Sequence, residues 1–332
     1  MQTGLVSLIT PCYNTSTYLP KLLDSVLNQS YQHIEMIMID DGSTDTTANV
    51  VHSYISRFSK KGYTLRYVYQ NNSGQSVAIK NGLSMVSGEF LVWPDSDDYY
   101  ASTDAIELMV HELENASEDF QMVRIQERII KDITGELIAI RGLDAHKEED
   151  ASLFEDCLFA RQSFYFGAGA YMIRTRVLFD LTRFDIYTDK NAGQNWQLML
   201  PILYKYRCKT ILKPLYNVVD RESSHSRGQY RDYEAMVTKL GSYYRTQIET
   251  LKRIEALPRS MLVLYQKELS KHYNITLFKI ALREHNRKAA RERLLQSGIN
   301  KGIKGYAIYV LLGIKGGGLV VRGLIRLSTL LK

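Results

Sequence analysis

Cysteine is scarce in this chain: its 332 residues hold three, Cys12, Cys157 and Cys208, an odd number at wide spacing. That pattern excludes a disulfide framework and a thiolate zinc site, and a reducing cytoplasm is the expected setting. No export signal is expected from the opening residues. No basic stretch followed by a long apolar run opens the sequence, and Leu5–Thr10 falls far short of the ~20 residues a bilayer span needs. Residues 301–332 lack acids altogether. They carry Lys301, Lys304, Lys315, Arg322, Arg326 and Lys332, so the net charge of +6 resides there and residues 1–300 balance 36 basic against 36 acidic side chains. A tail-specific anionic partner is expected, and nucleic acid is not.

Several catalytic signatures are absent as well. There is no Gly-x-Gly-x-x-Gly, Gly-x-x-x-x-Gly-Lys, His-Glu-x-x-His or Gly-x-Ser-x-Gly, which disfavours dinucleotide redox enzymes, P-loop ATPases, zinc proteases and serine hydrolases.

What is present is a strand-helix alternation. Leu5–Thr10 and Ile34–Ile39 are nearly continuous apolar runs, as in parallel strands covered on both faces, and Tyr63–Tyr69 and Glu89–Trp93 are weaker versions. Between them, Leu19, Leu22, Leu23, Val26 and Leu27, and then Val51, Tyr54, Ile55 and Phe58, follow helical spacing. The expectation is an α/β fold with an open, mostly parallel twisted sheet and helices on both faces. Past residue 100 the pattern predicts a helix over Ala105–Leu113, strands at Gln121–Ile130 and Leu137–Ile140, and a glycine- and aromatic-rich segment at Phe164–Ile173. Beyond about residue 228 it predicts helices alone.

Ligands of such sheets bind beyond the carboxyl ends of the strands. Three polar loops belong there: Pro11-Cys12-Tyr13-Asn14, Asp40-Asp41-Gly42-Ser43-Thr44-Asp45, and Pro94-Asp95-Ser96-Asp97-Asp98. Carboxylates crowded at a strand end call for a cation, and oxygen ligands of this kind suit Mg²⁺ or Mn²⁺. The plainer reading is that one aspartate caps the helix beginning near Ala101 and the others are solvated.

Thr10-Pro11-Cys12-Tyr13-Asn14, Asp40 to Asp45, Asn72-Ser73-Gly74-Gln75-Ser76 and Trp93 to Asp98, in this order and spacing, resemble family 2 glycosyltransferases with the GT-A (Rossmann-like) fold. The resemblance covers residues 3–100 firmly and runs more loosely to about 227. It implies a GT-A domain over 1–227, with a nucleotide-binding half at 1–100 and an acceptor half at 101–227, followed by a helical C-terminal region at 228–332. It further implies a nucleoside diphosphate sugar donor, often a UDP-sugar, and inversion at the anomeric centre. Pro11 and Tyr13 would border the nucleobase, Asp41 would hydrogen-bond it, Asp95 would approach the ribose and Asp97 would bind the metal. Gly167-Ala168-Gly169-Ala170 resembles the small-residue loop beside the donor sugar and acceptor, although simple turn chemistry explains it equally well.

Two positions depart from the family pattern. Lys80 stands where an asparagine is common, and reads either as a phosphate ligand or as an exposed helix lysine. Where these enzymes show Glu-Asp before Trp, with the aspartate as base, this chain has Gln194-Asn195-Trp196, and an amide has no useful basicity. Three possibilities stay open: Asp189 supplies the carboxylate, Asn195 only orients the acceptor, or the acceptor needs no base. His225 and Arg227 lie where related enzymes bring a His or Arg to the diphosphate, and an ordinary polar loop is the other reading.

The tail 301–332, drawn as one helix at about 100° per residue, gathers five of its cations within roughly 60° opposite Leu, Val and Ile. This is an interfacial pattern suited to an anionic membrane surface; packing on the protein body is the alternative. The expected activity is thus sugar transfer to a glycan or lipid-linked acceptor at the inner face of the cell membrane, as in bacterial surface polysaccharide assembly. A nucleotide-sugar-binding protein without turnover and a nucleotidyltransferase are the rivals.

Overall fold

The computed structural model describes residues 1–142, 153–161, 164–221, 232–298, 303–314, 318 and 321. The chain divides into two compact units: Met1–Arg221 with Glu249–Ala256, and Glu222–Ile248 with Leu257–Lys332. The boundary expected at residue 227 lies outside the described residues.

The first unit is built on one sheet. Strands β1 (Gln2–Cys12), β2 (Ile34–Asp40), β3 (Thr64–Tyr69) and β4 (Gly88–Val92) pair in parallel in the order β3-β2-β1-β4. All seven residues of β2 are buried, which is why its sequence is a continuous apolar run: helices cover both faces of a parallel sheet. Helix α1 (Leu19–Leu27) buries Leu19, Leu22, Leu23 and Val26 of the predicted stripe and half-buries Leu27, and α2 (Thr47–Lys61) buries Val51, Tyr54 and Phe58 but leaves Ile55 exposed. Gly62 ends α2 in the left-handed conformation at φ 85°, which a glycine adopts without a Cβ clash. Helix α3 (Gln75–Leu83) leads into β4. Register then does the positioning. Cys12 and Tyr69 both lie opposite Asp40, so the carboxyl ends of the first three strands finish in one row.

The second half of the sheet is mixed. After the short strand β5 (Tyr99–Tyr100) and helix α4 (Ala105–Glu114) come β6 (Phe120–Lys131) and the hairpin strand β7 (Leu137–Arg141). Helix α5 (Phe154–Leu158) and a 3-10 turn at Ala168–Ala170 precede β8 (Tyr171–Arg174), so the Phe164–Ile173 segment resolves into loop, turn and strand. Strand β8 runs antiparallel to both β4 and β6. Helices α6 (Thr175–Thr182) and α7 (Asn195–Lys205) precede β9 (Arg207–Asp220), which pairs in parallel with β6 and antiparallel with β5.

The second unit is helical: α8 (Tyr233–Lys252, whose last turn counts with the first unit), α9 (Arg259–Arg283), α10 (Arg287–Gln296) and α11 (Ile303–Gly313). Phe278, Ala281 and Leu282 of α9, Ala290 and Leu294 of α10, and Ile308 and Leu312 of α11 form one buried cluster. The described start of the basic tail therefore packs on its own unit. Arg287 donates to the carbonyls of Leu312 and Ile314, capping the C-terminus of α11. No helix among the described residues is long and apolar enough to cross a membrane. Of the tail's cations, only the backbone of Lys304 is described.

Candidate active site

Asp41 follows β2 and points at the loop ahead of α3. Its Oδ1 accepts from Gln70 Nε2 at 2.7 Å and from the Ser73 amide at 2.8 Å, and its Oδ2 accepts from the Gly74 amide at 2.8 Å. Gly74 sits at φ 96°, and a Cβ there would meet the Lys190 carbonyl oxygen at 2.5 Å, so glycine is required on two counts. Asp40 is held similarly, accepting from the Ser43 amide and the Tyr67 hydroxyl, both at 2.7 Å. Across the loop, Asn14 Oδ1 accepts from the amides of Thr44 and Asp45, which ties the β1–α1 turn to the β2–α2 turn. Pro11 is buried and Tyr13 stands 47% exposed beside it, an accessible ring at the mouth of the cleft.

The start of α3 links this corner to the second acidic cluster. Gln75 donates to Asp95 Oδ1 at 3.1 Å, and Gln194, ahead of α7, donates to the same oxygen at 3.2 Å. Asp98 is buried and accepts from the Val219 amide of β9 at 2.8 Å. Asp97 pairs with Arg221, just past β9, and the Tyr18 ring lies 4.2 Å from that guanidinium. Burial first, then the charge of Asp97, pushes the Asp95 carboxyl up to about 7, while the two glutamine amides pull it back. Burial, then the charges of Asp97 and Asp95, raises Asp98 well above the carboxylate range. Glu127 of β6, fully buried, is pushed up to about 7 by burial against the pull of Arg141, and accepts from the Gly167 amide.

Asn195 holds two elements together rather than pointing freely into the cleft. Its Oδ1 accepts from Trp93 Nε1 at 2.8 Å and its Nδ2 donates to the Phe166 carbonyl at 2.9 Å. Asp189 is engaged in its own turn, accepting from the Asn191 amide at 3.0 Å, with Ser76 of α3 bonded to its backbone. Lys80 forms a 2.7 Å ion pair with Asp185. His225 and Arg227 lie outside the described residues. Gln75, Gln194, Arg221 and Glu127 have no role in the sequence reading. The first two sit inside motifs that were legible, whereas Arg221 meets Asp97 across 124 residues of chain with no local signal.

Among the described residues, no three His, Cys, Asp or Glu side chains converge as a preformed metal cage. The carboxylates nevertheless fit a divalent cation. Mg²⁺-type sites use one or two carboxylates and complete their shell with substrate phosphates and water, and at Asp97 a cationic group, the Arg221 guanidinium, already stands against the oxygen.

Comparison with known proteins agrees with this geometry. Residues 7–166 match the family model described as Glycosyl transferase family 2. Glycosyltransferase GlyG of Streptococcus pneumoniae serotype 4 is 37% identical over 95 residues, which cover 28% of this chain and 30% of the relative. The putative glycosyltransferase EpsH of Bacillus subtilis is 34% identical over 99 residues, covering 30% of this chain and 28% of the relative. The chain thus aligns with less than a third of the length of either. Among solved structures, S. aureus TarS 1–349 in complex with UDP superposes with a TM-score of 0.57 at 17% identity, covering 92% of this chain and 90% of that one. Its complex with UDP-GlcNAc gives 0.52 at 18% identity, covering 90% and 92%. Strand order, carboxylate cleft and sequence match agree that residues 7–166 form a family 2 glycosyltransferase domain with the GT-A fold.

Proposed function

We propose that this chain transfers a sugar from a nucleoside diphosphate donor, a UDP-sugar, to a glycan or lipid-linked acceptor in cell-surface polysaccharide assembly, with inversion. The observation that carries the reading is the joining of Asp41 to Asp95, two residues from Asp97, across the start of α3 by way of Ser73, Gly74 and Gln75. Among the described residues Asp41 Oδ2 accepts from the Gly74 amide alone, which leaves it a position for a base N–H with Pro11 and Tyr13 bordering the base. Asp95, held by two amides, faces the ribose. His225 and Arg227 serve the diphosphate. Bound at Asp97, Mg²⁺ or Mn²⁺ supplies Lewis-acid stabilisation of the departing diphosphate. Gly167 and Gly169 keep the loop backbone close to Glu127 and Tyr216, where Cβ atoms would meet those side chains at 2.4 Å. This packing fixes the wall against which the acceptor approaches. The UDP-bound relative of the same fold supports the donor class.

The basic tail beyond α11 brings the enzyme to anionic lipid at the cytoplasmic membrane face. Thermal unfolding against a panel of nucleotide sugars with Mn²⁺ tests the donor, because a ligand of the folded state raises the melting temperature. No shift with any of them refutes the reading. A second reading, donor binding without turnover, is favoured by the use of both ends of the Asn195 amide between Trp93 and Phe166. Binding without release of nucleoside diphosphate, across donors and acceptors, establishes it.

A further inference from the structure

Arg221 is held by three parts of the first unit: the end of β9 carries it, Asp97 of the β4–β5 connection faces it, and Tyr18, directly before α1, stacks under it at 4.2 Å. The pair is poorly exposed, with 14% of the Arg221 side chain and 22% of the Asp97 side chain accessible. A structural arginine-carboxylate bridge normally uses two parallel N–H donors. Here Nη2 faces Asp97 Oδ2, and the buried Nε has no acceptor among the described residues. Among the described residues the contact is single-pronged and Nε has no acceptor, so the pair lacks the geometry that makes such bridges hard to open.

Its place also matters. Asp95, Asp97 and Asp98 stand within four residues and repel one another, and Arg221 is the cationic group whose charge acts favourably on Asp95. A divalent ion on Asp97 would take over that compensation with twice the charge, and it would repel a guanidinium on the same carboxylate.

We propose that Arg221 is the resident counter-cation of Asp97, and that the divalent ion enters by displacing it from the carboxylate while Tyr18 keeps hold of the guanidinium. This rests on the reading of Asp97 as the metal-binding carboxylate. Two consequences follow. Metal affinity in the free protein is weaker than the carboxylates alone would give, and removing the guanidinium strengthens it.

The test is binding of Mn²⁺ alone, without nucleotide, followed by the loss of the free-ion EPR signal, in wild type, Arg221→Gln, Arg221→Lys and Asp97→Asn. Arg221→Gln should bind Mn²⁺ about tenfold more tightly than wild type, the scale of one half-buried charge pair, and Asp97→Asn should lose the site. Arg221→Lys, which keeps the charge but not the planar stack, should fall between. A gain of affinity cannot come from damage to the fold, so a purely structural role for Arg221 does not produce it. If wild type binds through Asp97 and Arg221→Gln binds equally or more weakly, displacement is wrong while the metal reading stands. If no variant shows Asp97-dependent binding, the metal reading fails and the displacement with it. Should Arg221→Gln not melt cooperatively, Arg221→Lys decides alone: tighter binding supports displacement, and equal or weaker binding overturns it.

Discussion

The loop after β2 and the loop after β4 place the same residue type at equivalent strand ends, yet their carboxylates have opposite fates. Asp40 and Asp41 are met by backbone amides, a tyrosine hydroxyl and a glutamine amide, with every oxygen accepting at 2.7 to 2.8 Å. Asp95 and Asp98 receive fewer donors, feel each other and Asp97, and are pushed up, while Asp97 leans on one arginine. The first pair organises neighbouring loops. The second cluster stores unfavourable charge that a cation relieves. An acidic strand end is therefore defined by which backbone N–H groups converge on it, not by its residue type alone.

Four substitutions can break or sharpen this contrast. The largest effect is expected for Asp97→Ala, which should abolish the metal-dependent thermal shift and slow transfer about 10³-fold, or about 4 kcal/mol, in a sugar-transfer assay. A surviving metal-dependent shift would put the cation elsewhere. Asp41→Ala should act on stability: stranding the Ser73 and Gly74 amides costs about 3 kcal/mol in urea unfolding. If Asp41→Ala melted like wild type, the distinction between the loops would fail.

Glu127 extends the contrast to a buried carboxylate on the facing strand, and here the sign is fixed by linkage. Its carboxyl is raised from 4.5 to about 7, so its contribution to stability is complete below the unfolded value and is lost as pH rises toward 7. Glu127→Gln stays neutral, and its stability relative to wild type should grow by about 3 kcal/mol between pH 4.5 and 8, read from melting temperatures. A pH-independent difference would show that folding does not raise the Glu127 carboxyl. The smallest effect is expected at Lys80, whose pair with Asp185 is half exposed: Lys80→Ala should cost less than about 1 kcal/mol. A large loss of donor affinity would restore its diphosphate role.

Much of residues 1–100 was legible because the information there is local. The buried stripe of α1 and the apolar run of β2 follow from periodicity, and Asp41, Gly74 and Asp95 lie inside short motifs. The remainder of the chain was less so. Strand β9, fourteen residues long with mixed burial, shows neither clean alternation nor a continuous apolar run, since it borders β6 along one edge and reaches β5 on the other. The low amphipathicity of α9 hides its buried side in the same way, yet Leu277, Phe278 and Ala281 are enclosed by neighbouring helices.

Sequence alone determined the strand-helix order, the carboxylate-bearing loops and the amide at Asn195, because each is written within a few consecutive residues. Tertiary structure alone decided what those groups touch. Asn195 is taken up by Trp93 and Phe166, Lys80 by Asp185, and Asp97 by Arg221. Each partner lies 29 to 124 residues away in the chain, and only the closing of the sheet brings them within hydrogen-bonding distance.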